Sequence, residues 1–158
     1  MNDLQRQSLG AAFGSAALLA AALWFQYVQG LAPCPLCILQ RWPHVAAVLI
    51  GAVMLFVPRR GLALLGAAVM LGGTIVAAYH AGVEQGWWLG PDTCTAPSAI
   101  GGMSADDLLA RIEAAPVVRC DEIPWTFLGL SMAAWNGIAS AALSLLWLRA
   151  YASSSASQ

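Results

Sequence analysis

The chain has 158 residues, 59% of them apolar and only 9% charged, where an ordinary soluble domain carries about 25% charged residues. That excludes a water-soluble globule. Formal net charge is -1, lysine is absent and the seven arginines are scattered, so no basic patch tracks a phosphate backbone and nucleic acid is not an expected partner.

The first apolar run covers about residues 9–29, enough for the ~20 helical residues that cross a hydrocarbon core. Its alanine-rich character also suits a cleaved signal peptide, but it is longer than an ordinary signal core, Asp3 dilutes its positive flank, and further spans follow. Gly10 and Gly14 stand at GxxxG spacing and predict close helix packing. A short link, about 30–37, then carries "APCPLC" with Cys34 and Cys37; Pro33 directly before Cys34 argues against a lipoprotein cleavage box. The second apolar run, 43–57, reaches spanning length as 38–57 if its helix starts near Cys37, with Gln40 and Arg41 at the interfacial end and Pro43 within the first turns.

A tight "PRRG" link leads to the third span, about 62–81, with His80 at its outer end and Glu84 one turn beyond. The long link at about 82–125 holds Cys94 and Cys120. Within it, "SADDLLARIEAA" offers Ser104 as an N-cap, Asp107 three residues on, and Leu108, Leu109 and Ile112 on one face, which predicts a short amphipathic helix. A fourth run, about 126–148, and the polar tail "SSSASQ" complete the chain. No period-2 alternation of the barrel type occurs. The expected fold is therefore an all-α membrane protein, one domain over 1–158: an antiparallel four-helix transmembrane bundle with a short amphipathic helix in the second extracytoplasmic loop. Trp42, Trp87, Trp88 and Trp125 fit an outer aromatic belt and Trp147 an inner one.

Arginine placement sets the expected orientation. Arg6, Arg59, Arg60 and Arg149 flank the side holding both termini, against Arg41, Arg111 and Arg119 on the other, so the termini are assigned to the cytoplasm and all four cysteines to the opposite side.

One Cys-x-x-Cys and two cysteines 26 residues apart lack the second tight pair of a zinc site, and Ile38 stands where haem attachment needs histidine. No metal is expected. Two inert structural disulfides form the serious competing account in an oxidising compartment, with three pairings open. Against it, a helix beginning near Cys37 would set that sulfur at a positive helix end with Arg41 one turn on, and both favour the thiolate that attacks disulfides.

The ordered cysteines, their loops in a four-span chain, "CPLCILQR" and "FLGLSMAAWN" together resemble the disulfide bond formation protein B (DsbB) family of bacterial inner membranes, across nearly the whole chain. The resemblance implies a thiol:quinone oxidoreductase that reoxidises a periplasmic DsbA-like thioredoxin-fold protein and passes electrons to the membrane quinone pool, ubiquinone ahead of menaquinone. It implies that Cys94, bonded to Cys120, meets the reduced partner, that Cys34 and Cys37 accept the electrons, and that Cys37 and Arg41 face the quinone. His80, which matches a family position, and Glu84 one helical turn on are placed to face its headgroup near Arg41. A non-enzymatic four-span scaffold with two structural disulfides and a metal carrier are the alternatives from other classes.

Overall fold

The computed structural model describes residues 1–91 and 118–153, together with Cys94, Ser104, Asp106, Leu109 and Glu113. The amphipathic helix expected over 104–115 and the tail beyond 153 lie largely outside the described residues.

Helix α1 runs Asp3–Tyr27. It begins before the apolar run because Asn2 caps it: Asn2 Oδ1 accepts from Gln5 N at 2.8 Å and Gln5 Oε1 accepts from Asn2 N at 3.4 Å, a reciprocal capping box. The second span is broken into α2 (Pro35–Leu39) and α3 (Arg41–Phe56). Pro43 explains the break, since it has no N–H and its ring crowds the carbonyl four residues back, that of Leu39, where α2 ends. Helical structure here starts at Pro35 and not near Cys37: Pro35 takes the first helical position and Cys34 is the N-cap, its Sγ accepting from Cys37 N at 3.2 Å. Helix α4 spans Arg60–Glu84 and so includes both His80 and Glu84.

The fourth apolar run does not open as a helix. Strands β1 (Thr126–Phe127) and β2 (Leu130–Ser131) pair antiparallel, with Thr126 opposite Ser131 and Phe127 opposite Leu130. Leu128 (φ 52°) and Gly129 (φ 79°) both occupy the left-handed region between them, as a two-residue hairpin turn requires. Helix α5 follows over Met132–Ser153, and Ser131 Oγ caps it by accepting from Ala134 N at 3.2 Å. Three helical stretches, α1, α2–α3 (Pro35–Phe56) and α4, are long and apolar enough to cross a membrane. The 22-residue α5 matches them in length, but Asn136, Ser140, Ser144 and Arg149 dilute its apolar character.

Contacts between the helices run in opposite order along the chain. Gln5 Nε2 donates to Met54 O and Arg41 to Gln26, so α1 and α3 are antiparallel; Ser131 meets Glu84 while Ser144 Oγ donates to Ala67 O at 2.9 Å, so α4 and α5 are too. Small residues set the spacing. A Cβ on Gly14 would fall 2.7 Å from Leu143 Cδ2, and one on Gly51 would overlap Ala12; one on Gly10 would meet Leu146 Cδ2 at an ordinary 3.9 Å, so of the GxxxG pair it is Gly14 that serves close helix packing. Gly66 leaves room for the Trp147 indole, which is fully buried; this corrects the expected inner-belt position for Trp147. Trp42, Trp87 and Trp88 stay exposed, as an interfacial belt requires.

The bundle has two distinct ends. Arg60 lies over the Tyr151 ring at 4.8 Å, close to the Gln5–Met54 contact, so the "PRRG" link and both terminal helix ends gather together. The cysteines occupy the other end.

Candidate functional site

Of the three pairings open at the outset, the structure contains Cys94–Cys120, with Cα atoms 5.1 Å apart. Cys34 and Cys37 are free thiols whose sulfurs lie 2.8 Å apart, a short closing movement from the ~2.05 Å of a disulfide. One turn of α2 brings them together, because the N-cap side chain must fold back over the first N–H groups to satisfy them. Cys34, Cys94, Cys120, Leu36 and Val83 form one buried cluster with Cys37 and Val118 packed against it. Both cysteine pairs therefore share a single apolar neighbourhood.

The groups that stabilise a thiolate converge on Cys34, not on Cys37 as the sequence suggested. The hydrogen bond with Cys37 holds the Cys34 thiol down, to about 5, with His80 adding to the effect and burial opposing it. Geometry agrees: Cys34 Sγ receives the Cys37 N–H and lies 3.6 Å from His80 Nε2.

His80 and Glu84 are both brought to the site. His80 is only 2% exposed, its Nε2 is 4.0 Å from Glu84 Oε1, and Glu84 in turn accepts a short hydrogen bond from Ser131 Oγ. On the far side of the ring, Gln40 Nε2 lies 2.6 Å from His80 Nδ1. Gln40 connects to Asn136, whose Nδ2 donates to Gln40 Oε1 at 2.8 Å, and Asn136 Oδ1 lies 2.9 Å from His44 Nε2. Sequence reasoning passed over Gln40 as an interfacial residue and missed His44 and Asn136 altogether. The available signal was a pair of polar residues four apart at the start of the second apolar run, Gln40 and His44, and a lone asparagine inside the fourth.

Arg41 does not sit against Cys37 in any described contact. Its Nη1 donates to Gln26 Oε1 at 2.7 Å, which ties the start of α3 to the end of α1. Both sulfurs, Arg41, His44 and His80 line a cavity of about 380 Å³ whose other walls include Leu18, Leu19, Ala22 and Phe25 of α1 and Met132 and Ala139 of α5. The residues fit a quinone: apolar walls suit a ring and its tail, a guanidinium stands at the polar end, and His44 Nδ1 is buried with no partner among the described residues. The same end also offers metal-type donors, since Cys34, Cys37 and His80 place ligand atoms within 4.8 Å of one another, although tetrahedral zinc takes four. Arg119, which also lines the cavity, forks onto Asp121 at 2.9 and 2.6 Å next to Cys120 in the chain.

Comparison with known proteins gives a consistent result. The family model for Disulfide bond formation protein DsbB matches residues 5–150. A disulfide bond formation protein B of Methylococcus capsulatus is 41% identical over 133 residues, covering 76% of this chain and 77% of that protein. The counterpart from Albidiferax ferrireducens is 35% identical over 147 residues, covering 85% and 83%, and disulfide bond formation protein B 2 of Pseudomonas aeruginosa is 34% identical over 135 residues, covering 79% and 77%. Family model and relatives thus extend over the helices, the cysteines and the cavity alike, and the chain belongs to the DsbB family.

Proposed function

We propose that this chain is a thiol:quinone oxidoreductase of the bacterial inner membrane, which reoxidises a periplasmic DsbA-like protein of thioredoxin fold and passes the electrons to a membrane quinone. Family membership implies a part in disulfide bond formation and a membrane setting. The observation that carries the finer reading is that both cysteine pairs pack in one buried cluster beside an apolar cavity lined by Cys34, Cys37 and Arg41. In this reading four helices span the bilayer, the cysteine end faces the periplasm and the termini face the cytoplasm, in line with Arg6, Arg59, Arg60 and Arg149 at the opposite end.

The exchange conserves electrons at every step. A thiolate of the reduced partner attacks the Cys94 sulfur, and the Cys94–Cys120 bond breaks with its electron pair on Cys120. The partner's second thiolate attacks the mixed disulfide, releases Cys94 and closes the partner's own disulfide. Exchange with an oxidised Cys34–Cys37 pair then re-forms Cys94–Cys120 and leaves Cys34 and Cys37 as the dithiol. When bound, a quinone supplies a two-electron, two-proton acceptor. Arg41 would hold it at the polar end of the cavity, His80 and the Cys37 N–H stabilise charge on Cys34, and the α1 and α5 walls exclude water.

Purified protein in detergent tests this directly, by following quinone reduction driven by a reduced DsbA-type protein. Wild type is expected to turn over, and Cys37→Ser and Cys94→Ser each to abolish it. A folded wild type that reduces neither ubiquinone nor menaquinone would leave a scaffold with structural disulfides as the better account.

A further inference from the structure

His80 has a different neighbour on each ring nitrogen, so the nitrogen that carries the hydrogen decides what the ring does. Nε2 faces the Cys34 sulfur at 3.6 Å and Glu84 Oε1 at 4.0 Å, while Nδ1 faces Gln40 Nε2 at 2.6 Å. An amide nitrogen only donates, so with Gln40 in this orientation Nδ1 must accept and Nε2 must hold the hydrogen. The orientation of one amide thereby sets the chemistry beside a redox sulfur.

That amide is itself constrained at both of its atoms. Gln40 Nε2 also donates to the Leu36 carbonyl at 3.2 Å, which can only accept, and Gln40 Oε1 receives Asn136 Nδ2 at 2.8 Å. Asn136 Oδ1 then lies 2.9 Å from His44 Nε2, which donates to it. Reversing the chain would set the Gln40 oxygen against the Leu36 oxygen. It would also move the His44 hydrogen to Nδ1, a buried atom with no partner among the described residues, and bare buried N–H groups are rare. The Leu36 and His44 Nδ1 ends therefore favour the same direction, while Ser140 Oγ, 3.4 Å from His44 Nε2, can donate or accept and suits either.

We propose that Asn136 and His44, acting through Gln40, are positioning residues that lock His80 in its Nε2–H tautomer and aim that hydrogen at the Cys34 sulfur. When a disulfide to Cys34 opens and its electron pair stays on that sulfur, His80 donates a hydrogen bond to the thiolate without transferring its proton. The same hydrogen occupies the lone pair that a metal bridging Cys34, Cys37 and His80 would need. The role in the redox cycle rests on the function proposed above; the tautomer itself does not.

The test uses the full chain in detergent with ¹⁵N-labelled histidine, where two histidines give two rings and ¹⁵N shifts report which nitrogen is protonated. Wild-type His80 is expected to carry its hydrogen on Nε2. In Asn136→Asp the new carboxylate only accepts, so Gln40 Nε2 turns toward it, Gln40 Oε1 turns to His80, and the hydrogen moves to Nδ1. Quinone-linked turnover is expected to fall about tenfold as the thiolate loses a charge-assisted hydrogen bond. Should that variant fail to fold, Gln40→Met removes the directing amide and both tautomers should appear. Wild-type His80 protonated on Nδ1, or an unchanged tautomer in a folded Asn136→Asp or Gln40→Met, overturns the proposal, and unchanged turnover after the hydrogen has moved overturns the positioning role. A wild type with the hydrogen on Nε2 but no turnover overturns the thiol:quinone reading alone.

Discussion

Cys34 Sγ and His80 Nε2 stand 3.6 Å apart, one at the cap of a five-residue helix and the other near the end of a 25-residue one. The contact couples the only Cys-x-x-Cys of the chain to the third long helix, so the surroundings of this cysteine pair are built by packing as much as by the local motif.

Cys34 should titrate as an acidic thiol. In the reduced chain its thiolate absorbance is expected to rise with a midpoint near 5, against ~8.5 for a free cysteine, and Cys37→Ala should move it upward by removing the largest cause. The linkage follows in sign. A thiol pKa lowered on folding stabilises the reduced fold fully above the unfolded value and loses that contribution as pH falls through about 5. The melting temperature of the reduced chain should therefore climb between those limits more than that of Cys34→Ser.

Arg41 and Gln26 should act together. Because Gln26 Oε1 accepts from the guanidinium at 2.7 Å, Gln26→Leu leaves the charge in place but frees its direction, whereas Arg41→Leu removes both. Steady-state kinetics against quinone concentration are expected to show KM raised roughly tenfold or more in Arg41→Leu. Gln26→Leu should give a smaller rise of the same kind, with the thiol half-reaction unaffected in both.

Ser131 serves two masters, the α5 N-terminus and Glu84. Ser131→Ala should cost about 1 kcal/mol from the lost cap and more from the hydrogen bond that Glu84 loses. Ser131→Asp keeps a capping oxygen but sets it against Glu84, so it should melt below Ser131→Ala. A capping role alone would give the opposite order.

Helix glycines should divide by what faces them. A Cβ at Gly66 would lie 2.5 Å from Trp147 Cδ2, while nothing stands within 4 Å of one at Gly72. Gly66→Ala is expected to destabilise by about 1–3 kcal/mol through overpacking, and Gly72→Ala to be neutral or to stabilise by up to ~1 kcal/mol through helix propensity. Thermal melts in one detergent compare the two.

Much of the architecture was legible without coordinates because apolar length is a local property. A run of about 20 apolar residues declares a spanning helix whatever it packs against, and the cysteine spacing with "CPLCILQR" pointed to the family. The helix limits escaped, since they depend on atoms outside the apolar runs: the Asn2 capping box, the Pro43 clash with the Leu39 carbonyl, and the left-handed pair Leu128–Gly129 that turns the start of the fourth run into a hairpin.

What only the tertiary structure decided is which polar groups meet. Gln40 is 40 residues from His80 and 96 from Asn136, and His44 is 92 from Asn136; no local periodicity links positions so far apart. A polar side chain buried among apolar helices must find a hydrogen-bond partner or bear the cost of having none. Sequence determined that this chain crosses a membrane and carries two cysteine pairs. Packing decided that Cys34 receives the stabilising donors, that Trp147 fills the core beside Gly66, and that the polar side chains of His80, Gln40, Asn136 and His44 connect the Cys34 sulfur to the helix opposite.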